Sequence, residues 1–284
     1  MSARRFQVEN IDDAILLFDF FKEVLEHRKT NISPRTYELD QDAILSFKNF
    51  TGNVPLRSID VKRIEEYKTH LFNNRKETTV NIKFRHLRSL FSSAVKYKYI
   101  ISNPFKESSE LPTPKKLPAY ITKEKADELL ESICNLNIHL PVMIALYTGA
   151  RISEICRLEW EDIDLKNKTV ILDGKGRKER RVPIPIILSD YLYRLRHNMS
   201  DTKYVLSGTR DRREITREFR KYADECDIKQ TFHNLCDTYA SWLVQKGVSL
   251  QVVQKLLGHE NIRTTMIYAH LAPNNLEDAV SKLV

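Results

Sequence analysis

Glycine and proline are scarce in this chain, with 7 and 10 among 284 residues. So few backbone breakers exclude long irregular stretches. No apolar run approaches the roughly 20 residues needed to span a bilayer. The amino-terminal stretch MSARRFQVENIDD has no apolar signal core, so the expected location is the cytoplasm. The four cysteines, Cys134, Cys156, Cys226 and Cys236, form no CxxC pair and no secreted-type framework, which makes reduced thiols the default. Cys226, His233, Cys236 and Asp237 are metal-ligand types, with His233 and Cys236 spaced i,i+3 as on one helix face. They lack the second tight pair of a zinc site, and no metal or cofactor is assigned.

What is present is apolar residue enough, at 42%, for packed cores, in a length that fits two ordinary domains better than one. The net charge is +8, with a pI near 9.2, and favours a polyanionic partner.

The amino-terminal part reads as four helices. Ile15, Leu16, Phe18, Phe21, Val24 and Leu25 recur on a helical period between residues 11 and 26. Ser33-Pro34 is a helix start, a capping serine followed by proline at the first helical position, and the helix runs through Tyr37, Ile44 and Phe47 towards Gly52. Asp60 caps a third helix carrying Ile64, Tyr67 and Leu71. Thr78 or Thr79 starts a fourth through Leu87, Leu90, Phe91 and Val95. Lys83, Arg85, His86 and Arg88 on that fourth helix read either as a solvated face or as phosphate-backbone contacts. Asn103-Pro104 and the run Leu111-Pro-Thr-Pro-Lys-Lys-Leu-Pro118 cannot continue a helix. They predict a domain at 1–108, a linker at 109–118 and a second domain at 119–284. Lys115 and Lys116 in the linker could track a phosphate backbone.

In the second domain Thr122 caps a helix to about Cys134. Another, 140–147, ends at Thr148-Gly149, and a third runs from Arg151 to Trp160. Thr169–Leu172 and Arg181–Ile184 read as short strands joined by Gly174-Lys-Gly-Arg-Lys178. Helices are expected at about 187–198, 212–226, 232–246, 249–256 and 261–270, with a tail helix from Asn275. The predicted fold class is mainly α: a four-helix amino-terminal domain, then an α-rich domain with a small antiparallel β-hairpin sheet.

Four segments carry the chemistry. Thr148-Gly-Ala-Arg151-Ile-Ser-Glu154 is a tight turn into a helix headed by an arginine. Gly174-Lys175-Gly176-Arg177-Lys178-Glu179-Arg180 is a basic hairpin tip. His233-Asn-Leu235 opens a helix. Leu257-Gly258-His259 is followed nine residues on by Tyr268, with Arg263 between. In order and spacing these segments resemble the catalytic half of the tyrosine recombinases (the phage integrase family), most closely the Xer-type members, over about residues 118–284. The first domain is similar in architecture to that family's SAM-like core-binding domain.

The resemblance implies a site-specific recombinase or integrase that cleaves and rejoins duplex DNA through a 3′-phosphotyrosyl link, as a tetramer on paired DNA, with no membrane and no cofactor. Cutting DNA without a metal requires fixed cations around a pentavalent phosphorus. Arg151 would hold the non-bridging oxygens. Lys175 would protonate the leaving 5′-oxygen. His259 would contact the phosphate, His233 would belong to the catalytic set, Glu154 would orient His233 or Arg151, and Tyr268 would be the nucleophile. Lys83, Arg85, Arg88, Lys115, Lys116, Arg177, Lys178 and Arg263 are candidate DNA contacts. Leu276, Val280 and Leu283 form a tail stripe that could pack on its own domain or on a neighbouring protomer.

The sequence departs from the pattern at one point. The family's second arginine stands three residues after the first histidine and is usually followed by another histidine. Here Cys236 and Asp237 occupy these two positions. Removing a bidentate phosphate clamp costs about 3–5 kcal/mol, or about 10²–10⁴ in rate. The expectation is a substituted, impaired enzyme, unless Arg263 or Lys178 supplies the missing charge. The rivals are a non-catalytic DNA-binding protein on the same fold and a relaxing topoisomerase of the same chemistry.

Overall fold

In the computed structural model, which describes residues 15–114, 117–173, 179–198 and 202–273, the chain divides into two units, Met1–Lys115 and Lys116–Val284.

The first unit packs α1 (Leu17–Lys29), α2 (Pro34–Thr51), α3 (Val61–Phe72) and α4 (Glu77–Lys96) around an aromatic core. Phe47 lies against Phe21, Tyr67, Phe91 and Phe105 in edge-on pairs with ring centroids 4.9–6.5 Å apart. Each such ring contributes about 1.5–3 kcal/mol by burial alone. The Ser33 hydroxyl accepts from the Thr36 N–H and the Asp60 carboxylate from the Arg63 N–H, so both expected caps are formed. The start of α1 differs from the expectation. The Leu17 N–H donates to the Val54 carbonyl, and the Ile15 carbonyl accepts from the Leu56 N–H, so residues 15–17 pair with a distant segment before helix begins. The buried stripe is accordingly Leu17, Phe20, Phe21 and Val24. The fourth helix starts at Glu77, with no side-chain cap, one to two residues ahead of the threonines expected to open it. Leu111 exchanges two hydrogen bonds of 2.9 Å with the Asn81 side chain, so the first unit reaches beyond residue 108.

The second unit is built on α6 (Leu136–Thr148), which is apolar all round and therefore central. It is longer than expected because Asn135 caps it ahead of Leu140 and Pro141 is accommodated within it. Around it stand α5 (Lys123–Ser132), α8 (Ile186–Asn198), α9 (Arg212–Glu225) and α10 (Asn234–Gln245). The helix expected from Arg151 to Trp160 is a single turn, α7 (Ile152–Ile155). It stops because Leu158 and Trp160 leave it to pair with Val205 and Lys203. An antiparallel sheet of order β1-β2-β3 follows: β1 (Ile163–Asp164), β2 (Thr169–Asp173) and β3 (Glu179–Pro183), with Leu172 opposite Arg180. The sequence suggested the hairpin but not the two-residue β1. Beyond α10 come α11 (Leu250–Leu257), α12 (Ile262–Thr265) and a 3₁₀ segment, Met266–Leu271, where a continuous helix was expected. Together they enclose a second small core of Tyr239, Val244, Val253, Leu257 and Tyr268. The expected tail helix lies outside the described residues. No helix among the described residues is long and apolar enough to cross a membrane.

Candidate active site

Two glycines draw four elements together. Gly149 ends α6 with a left-handed φ of 66°, and a Cβ there would lie 2.6 Å from the Tyr239 ring of α10 and 2.9 Å from Leu257 of α11. Gly258 ends α11, also at φ 66°, and a Cβ there would meet the Arg180 side chain at 2.9 Å. Only a residue without Cβ allows these turns to close on their neighbours. The Thr148 hydroxyl fixes the first turn by donating to the Ile144 carbonyl and accepting from the Ala150 N–H.

This arrangement brings Arg151 to the end of α11. Its Nη1 reaches Glu154 Oε1 at 3.2 Å and the Leu257 carbonyl at 3.5 Å, while 38% of the side chain stays exposed. Among the described residues the rest of the guanidinium fork is uncommitted, so it can still engage an anion. Glu154 is fastened from three sides. It accepts from the Arg151 N–H at 2.8 Å, and the Arg180 guanidinium grips both its oxygens at 2.8 and 2.9 Å. Among the described residues Glu154 thus bonds Arg151 but not His233, and its principal partner is Arg180, the last residue of the basic hairpin segment, to which the sequence assigned no role. Arg180 also donates to the Leu256 carbonyl at 2.8 Å, which ties β3 to α11. The available signal was strand alternation: Arg180 shares the face of Val182, which is fully buried. Burial acts to raise the Glu154 carboxyl, but the hydrogen bonds and charge of Arg180, helped by Arg151, hold it below the ordinary carboxylate value.

His259 follows Gly258. Its Nδ1 lies 3.0 Å from the buried Thr265 hydroxyl, so Nε2 is the ring nitrogen left for another partner. Burial first, then the nearby Arg151 and Arg180 charges, push its pKa below the ordinary histidine value, with Asp237 opposing. Tyr268 is 3% exposed on the 3₁₀ segment, and its hydroxyl donates to Asp237 Oδ1 at 2.6 Å. Burial and then that carboxylate drive the phenol well above its ordinary value. Cys236 points its thiol at the Gly149 carbonyl. Burial pushes that thiol up to about 12 against the pull of Arg151, so it stays neutral.

Arg151, Glu154, Arg180, Cys236, Asp237, His259 and Tyr268 thus form one electrostatic cluster. His233 stands exposed at the cap position of α10. Lys115, Lys116, Lys175, Arg177 and Lys178 lie outside the described residues. Arg263 is exposed on α12. The candidate DNA-contacting cations of α4 each have a partner within the first unit. Lys83 is buried against Asp42, Arg85 grips Glu110, and Arg88 donates to the Phe105 and Ser108 carbonyls. His86 pairs with buried Asp40 at 2.6 Å. A basic face missed in the sequence is α9, whose Arg212, Arg213 and Arg217 are exposed beside Ile152 and Thr231. The zinc alternative fails on geometry: among the described residues no three His, Cys, Asp or Glu side chains come together as a metal site.

Residues 119–275 match the model of the phage integrase family, and residues 16–111 that of the phage integrase SAM-like domain. The chain is similar to tyrosine recombinase XerC of Halalkalibacterium halodurans, 30% identical over 277 residues that cover 87% of this chain and 90% of that protein. It is also similar to tyrosine recombinase XerA of Thermococcus kodakarensis, 34% identical over 60% of this chain and 64% of that one. In fold it resembles the Tn1549 transposon integrase in complex with transposon right end DNA, with a TM-score of 0.77, 18% identity and coverage of 95% and 98%. Lambda integrase, crystallised as a dimer bound to a COC′ core site, gives a TM-score of 0.75 at 17% identity, over 88% of this chain and 97% of that one.

Proposed function

The chain belongs to the phage integrase family of tyrosine recombinases, and from that premise we propose that it binds duplex DNA as a site-specific recombinase whose cleavage step is severely slowed in this sequence. The observation that carries the reading is the single cluster holding Arg151, His259 and Tyr268.

In the proposed mechanism the free fork of Arg151 holds the scissile phosphate and His259 donates to it from Nε2. Tyr268 attacks phosphorus to give a 3′-phosphotyrosyl link, and Lys175 protonates the leaving 5′-oxygen. Glu154 and Arg180 position Arg151. The link stores the phosphodiester bond energy, so religation needs no nucleotide. DNA contacts are assigned to Arg263, the basic residues at 115–116 and 177–178, and the exposed arginines of α9. By the same family likeness, exchange between two duplexes would use four protomers.

The slowing follows from position 236. A neutral thiol stands where the family carries a second guanidinium, beside an Asp237 that hydrogen-bonds the nucleophile. This same pair of residues favours the second reading, a DNA-binding protein on the recombinase fold that does no chemistry. A nicked substrate that traps the covalent intermediate separates the two. A protein–DNA adduct absent from Tyr268→Phe supports the enzyme, whereas DNA binding with no adduct supports the second reading.

A further inference from the structure

We propose that Asp237 is the general base of this site, taking the Tyr268 proton as the tyrosine attacks, with Asn234 as the residue that orients it. The inference rests on the recombinase reading above.

The hydrogen-bond chain is complete. Tyr268 Oη donates to Asp237 Oδ1 at 2.6 Å. Asp237 Oδ2 accepts from Asn234 Nδ2 at 3.0 Å. The Asn234 amide oxygen accepts from both the N–H and the hydroxyl of Thr231, each at 2.9 Å. The Thr231 N–H can only donate, so it fixes which way the Asn234 amide faces and presents Nδ2 to the carboxylate. A nucleophile within hydrogen-bond reach of a base, with that base held by a third polar group, is the arrangement that activates weak hydroxyl nucleophiles. Asn234 and Asp237 lie three apart on α10, so one helix face presents both.

The surroundings explain why a base is needed. Burial and the adjacent carboxylate disfavour a free phenolate at Tyr268, and the missing guanidinium removes the cation that would stabilise one. Attack therefore requires the proton to leave as the oxygen–phosphorus bond forms. Among the described residues Asp237 is the acceptor hydrogen-bonded to that hydroxyl. In the step, the Tyr268 oxygen bonds to phosphorus and the phosphorus–5′-oxygen bond breaks. The phenol proton passes to Asp237, and the departing 5′-oxygen takes a proton from the general acid. On religation the 5′-hydroxyl attacks phosphorus and returns its proton to the deprotonated general acid, the bond from phosphorus to the Tyr268 oxygen breaks, and Asp237 gives its proton back to the departing phenolate.

The test uses the full chain and a nicked duplex whose 5′-bridging oxygen is sulfur. The leaving thiolate needs no general acid, so the rate reports the nucleophile side alone. Adduct formation at Tyr268 is expected to fall about 10²-fold or more in Asp237→Asn and in Asp237→Ala. Added formate is expected to restore part of the rate to Asp237→Ala and to do nothing for Asp237→Asn, where the amide blocks the space. A merely structural aspartate would not yield that rescue. A Tyr268 adduct that forms equally fast or faster in Asp237→Asn overturns the proposal and leaves the recombinase reading intact, as does an Asp237→Ala rate that formate does not change. No Tyr268 adduct in the parent chain, or in the chain carrying both Cys236→Arg and Asp237→His, overturns the recombinase reading itself.

Discussion

The Arg180 guanidinium closes on both oxygens of Glu154, at 2.8 and 2.9 Å, in a pair with 9% and 2% of the side chains exposed. The pair joins the inner face of β3 to the turn that carries Arg151, and a third donor, Arg180 Nε, reaches the last turn of α11. The site is thus positioned by a buried ion pair that itself needs no DNA to hold it together.

Breaking that pair on one side is expected to destabilise the second unit strongly. Glu154→Gln leaves the Arg180 charge buried and unneutralised, at a cost of about 3–5 kcal/mol. Replacing both partners, with Glu154→Leu and Arg180→Met, is expected to cost less than replacing either alone. Both tryptophans, Trp160 and Trp242, belong to the second unit, so urea unfolding followed by tryptophan fluorescence reads this directly.

Acid is expected to weaken the same unit in two stages. His259 and Glu154 both have pKa values depressed by folding. For a depressed group the unfolded chain binds the proton first, so its contribution is present above the unfolded value and is lost as pH falls through the folded one. The His259 contribution should fade below about pH 6.5 and that of Glu154 below about pH 4.5. Urea midpoints measured from about pH 8 to about pH 3 should stay level down to the histidine range, fall below about pH 6.5 and fall further below about pH 4.5, and Thr265→Val together with His259→Phe should remove the upper stage.

In the proposed mechanism position 236 sets the rate. Cys236→Arg with Asp237→His restores the phosphate clamp while an imidazole replaces the carboxylate as acceptor of the Tyr268 proton, and is expected to raise strand exchange by about 10²–10⁴-fold. Cys236→Arg alone should gain less, because Asp237 is then placed to pair with the new guanidinium. Recombination of paired sites on a plasmid measures both, and equal rates in parent and double variant would refute the role given to this position.

The exposed face of α9 is expected to bind phosphate. Arg213→Ala and Arg217→Ala should each weaken DNA binding across sequences. Each should also lower the slope of log affinity against log salt by about 0.9 for every phosphate that is no longer neutralised. Titration at several salt concentrations checks this, and an unchanged slope removes α9 from the interface.

The sequence made the site legible where a residue type has few alternatives. Gly149, Gly258, Arg151, His259 and Tyr268 could be selected because a left-handed turn against a neighbour tolerates only glycine, and because their order and spacing resembled a known pattern. Caps were equally legible, since Ser33, Asp60 and Thr122 act within three residues of themselves. What failed was non-local. Residues 15–17 leave a helical pattern to pair with residues 54–56, and the turn after Arg151 ends early because Val205 and Lys203 compete for its backbone. Lys83 and Arg88 look like free cations in sequence, yet tertiary partners 17 to 41 residues away capture them. The Tyr268–Asp237 hydrogen bond spans 31 residues and involves an aspartate at a position where the pattern gives histidine, so no periodicity could announce it.

In the proposed reaction Tyr268 attacks a DNA phosphate inside a cluster short of one guanidinium. The decisive measurement incubates the chain with a nicked suicide substrate, then isolates and sequences the peptide that remains on the DNA. A slowly formed 3′-phosphate adduct on Tyr268 is expected, far more abundant with Cys236→Arg plus Asp237→His and absent from Tyr268→Phe. An adduct on any other residue, or none on Tyr268 even in the double variant, would rule that reaction out.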